Sequence, residues 1–399
     1  MVDAQPGIQR QRMNAILRAV METPRATRGN LSSRLGLSPS SIVKYAKTLI
    51  DKGLIRETDR EESTGGRRSS VLELNPDAGL EVAIVLDATA VRGCLMDISG
   101  RPLAERSAPS RQGIPREELL AVIFGLIDSL LGATKDDGRR ILGIGVGIGG
   151  HIDPLEGISR EYLYARDWYD VPLRRLIEER YSVSCYLVKD ANSCALGEKY
   201  RGRGIGVDHF LCVWIGEGIG MGIVVNGELY QGKSAYAGEF GHVHAVDGGV
   251  LCFCGHTGCL ETVCSQQSIL AACCSGLRQG VNSEILKHCG GDAENISIEH
   301  VIAAANDGDR FARNILAQAA DVLGTKLSDV ADLFNPELIV LRGPVIDGNE
   351  FLFERLRGVV MDQSLRPTAR ALQMRYSAER TDIRFAGIGC AILVDYFSR

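Results

Sequence analysis

Three amphipathic segments open the chain. Apolar residues recur at helical spacing from Ile8 to Val20, which predicts a first helix over about 8–22. A second helix is predicted over 28–35. After a short turn at Gly36, Ser38 suits an N-cap and Pro39 suits the first helical position, so a third helix is predicted to run from here to about 52. This order is typical of a helix-turn-helix.

Two strand-like runs follow these helices. Leu54–Arg56 and Val71–Leu74 flank a loop that contains Gly65-Gly66-Arg67-Arg68. Such a hairpin adds a wing, and the first 75 residues are therefore predicted to form a winged helix-turn-helix domain. A three-helix module that binds protein has the same periodicity. The arginines of the wing favour DNA binding over that alternative.

From about residue 80 the pattern changes to strand-like runs alternating with helical ones, which predicts an α/β body over 80–399. The turn-rich segment 75–79 marks the boundary. The predicted strands are 82–86, 92–96, 141–148, 184–188, 210–215 and 219–225. The predicted helices are 116–132, 172–181, 191–201, 266–278, 308–333 and 385–397.

Charge is divided unevenly along the chain. The whole sequence of 399 residues has a net charge of -5, which by itself argues against nucleic-acid binding. Residues 1–75 contain 13 Lys and Arg against 8 Asp and Glu, whereas the remainder contains 32 against 42. A basic head on an acidic body is expected when one end of a protein meets a phosphate backbone.

Composition indicates the cellular compartment and the state of the cysteines. With 45% hydrophobic residues the chain can bury a large core, yet no apolar run is long enough to span a membrane and no secretory signal is recognisable. We therefore expect a cytoplasmic protein. The 12 cysteines of such a chain are expected to be reduced thiols and metal ligands, not disulfides.

One short segment concentrates potential metal ligands. Cys252, Cys254 and Cys259 lie within eight residues, with Gly255 and Gly258 in the turn, so one tight loop can offer three sulfurs. Thiolate sulfur and imidazole nitrogen in a closed tetrahedron are typical of a structural zinc site.

The fourth ligand must come from outside the three cysteines. His242 and His244 alternate along a predicted strand and should point to opposite faces, so only one of them can reach the metal. His256, inside the loop, is a further candidate. Ordinary reduced cysteines without metal are the remaining alternative.

This segment resembles the signature of the ROK family, which comprises repressors, open reading frames and sugar kinases. The preceding run Ala237–His242, and Asp190-Ala191-Asn192 with Ala195–Glu198 further upstream, also match it. The resemblance covers nearly the whole chain. It implies an actin-like (ribonuclease-H-like) body of two lobes with a ligand cleft between them, and a zinc loop over 242–259. We predict zinc ligation by His242, Cys252, Cys254 and Cys259, with His244 and His256 as substitutes.

Three turns depart from the kinase pattern of the family. Asp87–Val91 has no glycine where the kinases have Asp-x-Gly-Gly-Thr, Gly216-Glu217-Gly218 has a carboxylate in place of threonine, and Pro344 removes an N–H donor. Asp190 stands at the position of the catalytic base, and a helix N-cap is an alternative role for it. We expect a vestigial base and no enzymatic activity.

The resemblance implies that a carbohydrate-binding site is retained although catalysis is lost. Asp190, Glu239, His242 and Glu261 match the sugar contacts of the family, and neighbouring hydroxyls suit fixed carboxylates and an imidazole. His242 would bind zinc through one ring nitrogen and a sugar through the other. Lys189 replaces the asparagine of the family. It can bind an anionic group of the ligand, pair with an acid such as Glu239, or point to solvent.

The prediction is therefore a sugar-responsive transcriptional regulator, a repressor of carbohydrate genes, that binds operator DNA as a homodimer or homotetramer. The N-terminal part of a recognition helix reads base edges, whereas flanking cations contact the backbone. An active kinase with an added DNA-binding domain, and a regulator controlled by a protein partner, are the alternatives. The candidate DNA contacts are Ser40, Ser41, Lys44 and Tyr45 on the third helix, Arg67 and Arg68 on the wing, and Thr27, Arg28 and Arg34 near the second helix.

Overall fold

The computed structural model describes residues 6–23, 25–60, 70–134, 137–377 and 382–396. They form two compact units. The first contains the described residues as far as 206 and those from 383 onward, and the second contains residues 207–382. The predicted wing contacts Arg67 and Arg68 lie outside the described residues.

The strands and helices of both units are numbered in chain order. The strands are β1 (Ala26–Thr27), β2 (Ile55–Arg60), β3 (Ser70–Leu74), β4 (Leu80–Leu86), β5 (Ala90–Asp97), β6 (Pro102–Pro109), β7 (Ile114–Pro115), β8 (Ile141–Ile148), β9 (His151–Asp153), β10 (Ile158–Glu161), β11 (Ala165–Arg166), β12 (Tyr169–Val171), β13 (Cys185–Lys189), β14 (Phe210–Ile215), β15 (Ile219–Val225), β16 (Glu228–Tyr230), β17 (Leu338–Arg342) and β18 (Gln373–Tyr376). The helices are α1 (Pro6–Glu22), α2 (Arg28–Leu35), α3 (Pro39–Asp51), α4 (Arg116–Gly132), α5 (Leu173–Tyr181), α6 (Asp190–Arg201), α7 (Glu261–Cys264), α8 (Gln266–Arg278), α9 (Ile285–His288), α10 (Ile298–Asn306), α11 (Arg310–Phe334), α12 (Glu350–Gln363), α13 (Arg366–Ala371) and α14 (Ile383–Tyr396).

The head, residues 6–74, has the predicted winged helix-turn-helix order. The hydroxyl of Ser38 accepts a hydrogen bond from the amide of Ser41 at 3.3 Å, and Pro39 occupies the first turn of α3. In the small sheet, β3 pairs antiparallel with both β1 and β2. Apolar residues of α1, α2 and α3 share one core with Leu142 and Leu393 of the same unit.

The body of the first unit is a five-stranded sheet in the order β13-β8-β4-β5-β6. Strands β13, β8 and β4 are parallel, and β5 and β6 are antiparallel to their neighbours. Lys189 is in register with Ile148, and Ile148 is in register with Leu86. Consequently the segments that follow these three strands, which begin with Asp87, Gly149 and Asp190, leave the sheet at one edge, where ligands of open α/β sheets bind.

The second unit contains another five-stranded sheet, in the order β16-β15-β14-β17-β18. Its parallel pair β14 and β17 ends at Ile215 and Arg342, so the turns at Gly216 and Gly343 adjoin. Helices α8, α10, α11 and α12 supply much of its buried apolar core. Two mixed sheets with helices packed on them confirm the predicted actin-like α/β class.

The strand predicted through His242 and His244 is wrong. Phe240–His242 form one turn of 3-10 helix, and His244 makes an isolated antiparallel bridge to Cys259. The reason is local, because Gly238 has φ = 87° and a Cβ there would lie 1.8 Å from the carbonyl oxygen of Met221. This left-handed conformation belongs to a turn that leads directly into the 3-10 helix at Phe240.

Candidate functional sites

The second unit brings four of the predicted metal ligands together. One ligand atom from each of His242, Cys252, Cys254 and Cys259 lies within 4.8 Å of the others. The sulfurs of Cys254 and Cys259 are 3.6 Å apart, and Nδ1 of His242 is 3.6 Å from the sulfur of Cys252. A tetrahedral zinc ion with ordinary bond lengths requires edges of about 3.8 Å between sulfurs and about 3.5 Å between sulfur and nitrogen. The donor set and its spacing fit zinc.

Backbone hydrogen bonds fold the loop so that its sulfurs converge. The amide of Cys252 donates to the carbonyl of His256 at 2.7 Å, and the amide of Gly255 donates to the carbonyl of Cys252 at 3.0 Å. Gly258 has φ = 74°, and a Cβ there would lie 1.9 Å from the carbonyl oxygen of Val246. Only glycine therefore allows this closure immediately before Cys259.

The two substitute histidines have other surroundings. The exposed ring of His244 contacts Asp247 through Nε2 at 2.9 Å. Nδ1 of His256 is 3.5 Å from the sulfur of Cys254, but its ring is exposed and does not join the four-ligand group found among the described residues. The geometry thus favours His242 as the fourth ligand.

Thiol electrostatics differ within the cluster. Burial raises the pKa of Cys252, whose thiol also donates to Glu261 at 3.1 Å. Burial opposes ionisation of Cys254 as well, but hydrogen bonds from the amide and ring of His256 and from the thiols of Cys252 and Cys259 together outweigh it and lower the pKa to about 6. A bound divalent cation would stabilise every thiolate and remove this difference.

Two carboxylates adjoin the ring of His242. Its Nδ1 is 3.6 Å from Oε1 of Glu261, and its Nε2 is 4.0 Å from Oε2 of Glu239. Burial raises the pKa of Glu261, while the Cys252 thiol and the charge of His242 oppose the rise. Because Nδ1 faces the sulfurs, Nε2 is left facing Glu239, as a ring that serves both a metal and a hydroxyl requires.

The first unit places Asp190 at the edge where its parallel strands end. Asp190 is the first residue of α6, and its Oδ1 accepts a hydrogen bond from the amide of Ala191 at 2.6 Å. The N-cap position belongs to Lys189, so the alternative role of Asp190 as N-cap is wrong. Burial raises the pKa of Asp190, and the positive charge of Arg384 is the main opposing influence.

Lys189 does not point to solvent. Only 8% of its surface is exposed, and its positive charge partly opposes the rise in the pKa of Asp190 that burial causes. Of the three roles considered for Lys189, binding an anionic group of the ligand and pairing with an acid therefore remain. An amine held at this depth needs negative charge or hydrogen-bond acceptors around it.

The turn at Asp87 is closed by protein cations. Oδ2 of Asp87 accepts hydrogen bonds from Nε and Nη2 of Arg92 at 2.8 and 2.6 Å, and Oδ1 accepts one from Arg384 at 3.0 Å. Arg384 is only 3% exposed. Two guanidinium groups therefore neutralise the carboxylate that opens the predicted phosphate turn.

The corresponding turns of the second unit offer few amide donors. The amide of Gly216 donates to the carbonyl of Gly218 at 3.0 Å. A Cβ at Gly216 would lie 3.4 Å from Cδ of Pro344, so the proline ring borders the same turn. Pro344 has no amide hydrogen to donate.

The exposed face of α3 differs in part from the prediction. Ser40 and Lys44 are exposed, as a reading surface requires. Tyr45 is wrong as a base contact, because only 2% of it is exposed and its ring packs in the core of the head. Val43 and Lys47 were missed. Both are exposed and lie on one helical stripe with Ser40 and Lys44, a spacing that the sequence already contains.

Four other predicted DNA contacts are engaged within the head. Thr27 is buried and caps α2 by accepting from the amide of Asn30. Arg28 pairs with Glu57 and donates to the hydroxyl of Ser70 at 3.1 Å. Ser41 is half-buried and its hydroxyl is 3.0 Å from that of Ser38. Arg34 pairs with Glu22. These contacts hold the helices and the base of the wing.

Comparison with known proteins identifies the body. A model of the ROK family matches residues 81–395, which is most of the chain. The chain belongs to the ROK family. A model described as winged helix-turn-helix DNA-binding matches residues 11–56 of the same protein.

Individual ROK relatives are regulators that match almost end to end. The chain is 29% identical to a putative xylose repressor from Caldicellulosiruptor sp. (strain Rt8B.4), over 95% of this chain and 94% of the relative. It is 27% identical to the DNA-binding transcriptional dual regulator NagC from Escherichia coli (strain K12), over 88% of this chain and 85% of the relative.

Solved ROK structures cover either the whole chain or its body. A ROK family transcriptional regulator described as a homolog of the E. coli MLC protein has a TM-score of 0.81, with 27% identity and 98% of both chains covered. A ROK family glucokinase from Streptomyces griseus, solved with glucose and AMPPNP, has a TM-score of 0.68 and 25% identity. It covers 79% of this chain and 99% of its own. The ROK body is thus shared with kinases, whereas the head is shared with regulators. Among the helices described, none has the length and apolarity needed to cross a bilayer.

Proposed function

We propose that this ROK protein is a transcriptional regulator, a repressor of carbohydrate genes, whose DNA affinity changes when a monosaccharide or its phosphorylated or acidic derivative binds. The observation that carries the proposal is the contrast between closed phosphate turns and a retained polar set. The carboxylate of Asp87 is neutralised by Arg92 and Arg384. The carboxylates of Glu239 and Glu261, in contrast, both lie beside the imidazole ring of His242.

Each unit has polar side chains that suit an effector. In the second unit, Glu239 and Glu261 accept hydrogen bonds from sugar hydroxyls and Nε2 of His242 donates one. In the first unit, the carboxylate of Asp190 suits a hydroxyl group and the cation of Lys189 suits a phosphate or carboxylate group. The depth of Lys189 and the grouping around His242 support these assignments.

Zinc bound by His242, Cys252, Cys254 and Cys259 is the proposed cofactor. Its role is structural, since all four ligands come from the protein and leave no coordination position open. It fixes the tautomer and orientation of the His242 ring. Effector binding and loop order are thereby linked.

Enzymatic phosphate transfer is not part of the proposal. Transfer requires turns whose amide groups hold the nucleotide phosphates. Here one turn begins with a paired carboxylate, another uses an amide internally and a third contains proline. Asp190 is a vestigial base.

The proposed DNA surface is the exposed stripe of α3, with Ser40, Val43, Lys44 and Lys47. Lysines bind phosphates and an apolar side chain contacts a thymine methyl group. Arg67 and Arg68 stay proposed contacts to phosphate or the minor groove, from the sequence alone. A homodimer or homotetramer would present two such stripes to a palindromic operator.

A regulator that responds to a protein partner is the second candidate. It is favoured by the exposed apolar side chains of Val250, Leu251 and Phe253, which lie in and beside the metal loop. Phe253 packs edge-on against the ring of His242, with centroids 5.0 Å apart.

A thermal-shift screen separates the two candidates. The probes are xylose, glucose and N-acetylglucosamine with their phosphates and acids, because a ligand that binds only the folded state raises the melting temperature. A positive probe is then titrated into a complex with a DNA duplex enriched by the protein from a random pool. A sugar that shifts both the melting temperature and the DNA affinity supports the first candidate. If no probe shifts either, the protein-partner candidate replaces it.

A further inference from the structure

A single carboxylate joins three helices of the first unit. Glu22 is the last residue of α1, and its Oε1 is 2.9 Å from Nζ of Lys199 on α6. Its Oε2 accepts a hydrogen bond from Arg34, in the last turn of α2. Each oxygen of Glu22 therefore holds one cation, one from the body and one from the helix-turn-helix.

The inner half of this contact is deeply buried. The side chains of Lys199 and Glu22 are only 4% and 9% exposed. Bringing two charges out of water costs as much as their attraction returns, so such a pair contributes little net stability. What it does provide is a fixed geometry, because either charge left alone at this depth is strongly unfavourable.

Helix α6 connects this contact to the edge of the sheet where Asp190 lies. It is unbroken from Asp190 to Arg201, so Asp190 and Lys199 are separated by about 14 Å along one axis. Tyr200, the neighbour of Lys199, belongs to the core that the head shares with the body. A tilt at the start of α6 must therefore move Lys199 and Tyr200 at its end.

Helix α14 packs against α6 through glycines and makes the connection stiff. A Cβ at Gly387 would lie 1.7 Å from the carbonyl oxygen of Ser193, and a Cβ at Gly197 would lie 2.3 Å from that of Ile383. At one end of α14, Arg384 pairs with Asp87. Toward its other end, Leu393 packs in the head core. Both helices thus run from the candidate ligand edge to the head.

We propose that α6 and α14 form one rigid connection between this edge and the head, and that the chain Lys199–Glu22–Arg34 fixes the orientation of α2 on it. These three are positioning residues. They act on DNA binding by setting the direction in which the stripe of α3 faces. The DNA arm of the following test rests on the proposed regulator function, whereas its exchange arm does not.

The test compares two full-length double variants with the unmodified protein. Lys199→Met with Glu22→Gln removes the buried pair without leaving an unpaired charge in the interior, since the remaining cation, Arg34, is 35% exposed and also donates to the hydroxyl of Thr23 at 3.0 Å. Lys287→Met with Glu284→Gln makes the same chemical change in an exposed pair of the second unit. Amide hydrogen exchange, melting temperature and affinity for the enriched duplex are measured for all three proteins.

For the buried-pair variant we expect amides of α2 to exchange about tenfold faster while those of β4 and β8 are unchanged. Its melting temperature should stay near that of the unmodified protein, and its affinity for the duplex should change by about tenfold. The control variant should match the unmodified protein in every measurement.

Unchanged exchange in α2 overturns the inference. So does faster exchange spread evenly through β4, β8 and α2 with a lower melting temperature, because that is a purely structural role. If the unmodified protein enriches no duplex, the proposed function fails by itself, and the exchange data alone decide the inference.

Discussion

The metal loop of the second unit and the Asp87 turn of the first treat charge in opposite ways. The loop gathers three thiols and an imidazole, and the sulfurs repel one another once they ionise. The turn holds one carboxylate between two guanidinium groups. One arrangement gains stability from an added cation, and the other is already neutralised by the protein. One chain can therefore keep a cation-dependent site in one unit while a carboxylate in the other unit is already neutralised.

Removing a thiol from the loop should have the largest effect. We expect Cys259→Ser to lose the proposed zinc and at least about 3 kcal/mol of the free energy of unfolding, a fall in melting temperature of roughly 10 °C. Elemental analysis and thermal unfolding measure both. Cys274→Ser, at a half-buried thiol outside the loop, is the matched control. Full metal content and stability in Cys259→Ser would remove the contrast with the Asp87 turn.

The second largest effect concerns DNA binding. Deleting the head should abolish binding, and Lys44→Ala or Lys47→Ala should each reduce the slope of log affinity against log salt by about 0.9, because one phosphate contact is lost. Lys233→Ala, exposed in the second unit, controls for net charge.

Tyr45→Phe tests the DNA-reading surface of α3 through a residue on the buried side of the same helix. The buried hydroxyl of Tyr45 has no hydrogen-bond partner among the described residues, so its removal should leave both stability and DNA affinity nearly unchanged. Binding by the body alone, or a clear loss of affinity in Tyr45→Phe, would contradict the assignment of the reading surface.

Strong periodicity explains which parts of this fold could be predicted. Strands β8, β14 and β15 and helices α2, α4 and α8 match their predicted bounds, since apolar runs or capping residues mark them. Edge strand β6 was missed because both of its faces are largely exposed, which leaves no alternation to detect. Helices α10 and α12 were also missed.

The sites show a similar division. Spacing identified the three cysteine candidates, because a tight loop limits where its sulfurs can go, whereas the choice of His242 as the fourth ligand came from the family resemblance. Spacing misassigned Tyr45, whose burial depends on how α1 and α2 pack around α3. It also gave no sign of the Lys199–Glu22 pair, whose partners are far apart in the chain.

A smaller effect should distinguish the roles of Lys189. If it contacts an anionic group, Lys189→Ala should weaken binding of a sugar phosphate by about tenfold and that of the neutral parent sugar by much less. Calorimetry with N-acetylglucosamine and its 6-phosphate measures both losses. Equal losses would show that Lys189 only packs or pairs locally. Glu239→Gln, which should weaken both ligands, is the comparison.

The last prediction is an absence of kinase turnover. We expect no sugar-dependent ATP hydrolysis, because Asp87 is held by two guanidinium groups, the amide of Gly216 is bonded within its own turn, and Pro344 has no amide hydrogen. A coupled assay with glucose, ATP and magnesium measures it. Arg92→Ala tests whether the ion pairs of Asp87 alone prevent turnover. Freeing one side of the Asp87 carboxylate should still give no activity, since Ala88, Thr89 and Ala90 provide no glycine turn for phosphate oxygens. Turnover that disappears in Asp190→Asn would show that the first unit retains its catalytic base and that closure of the turn is incomplete.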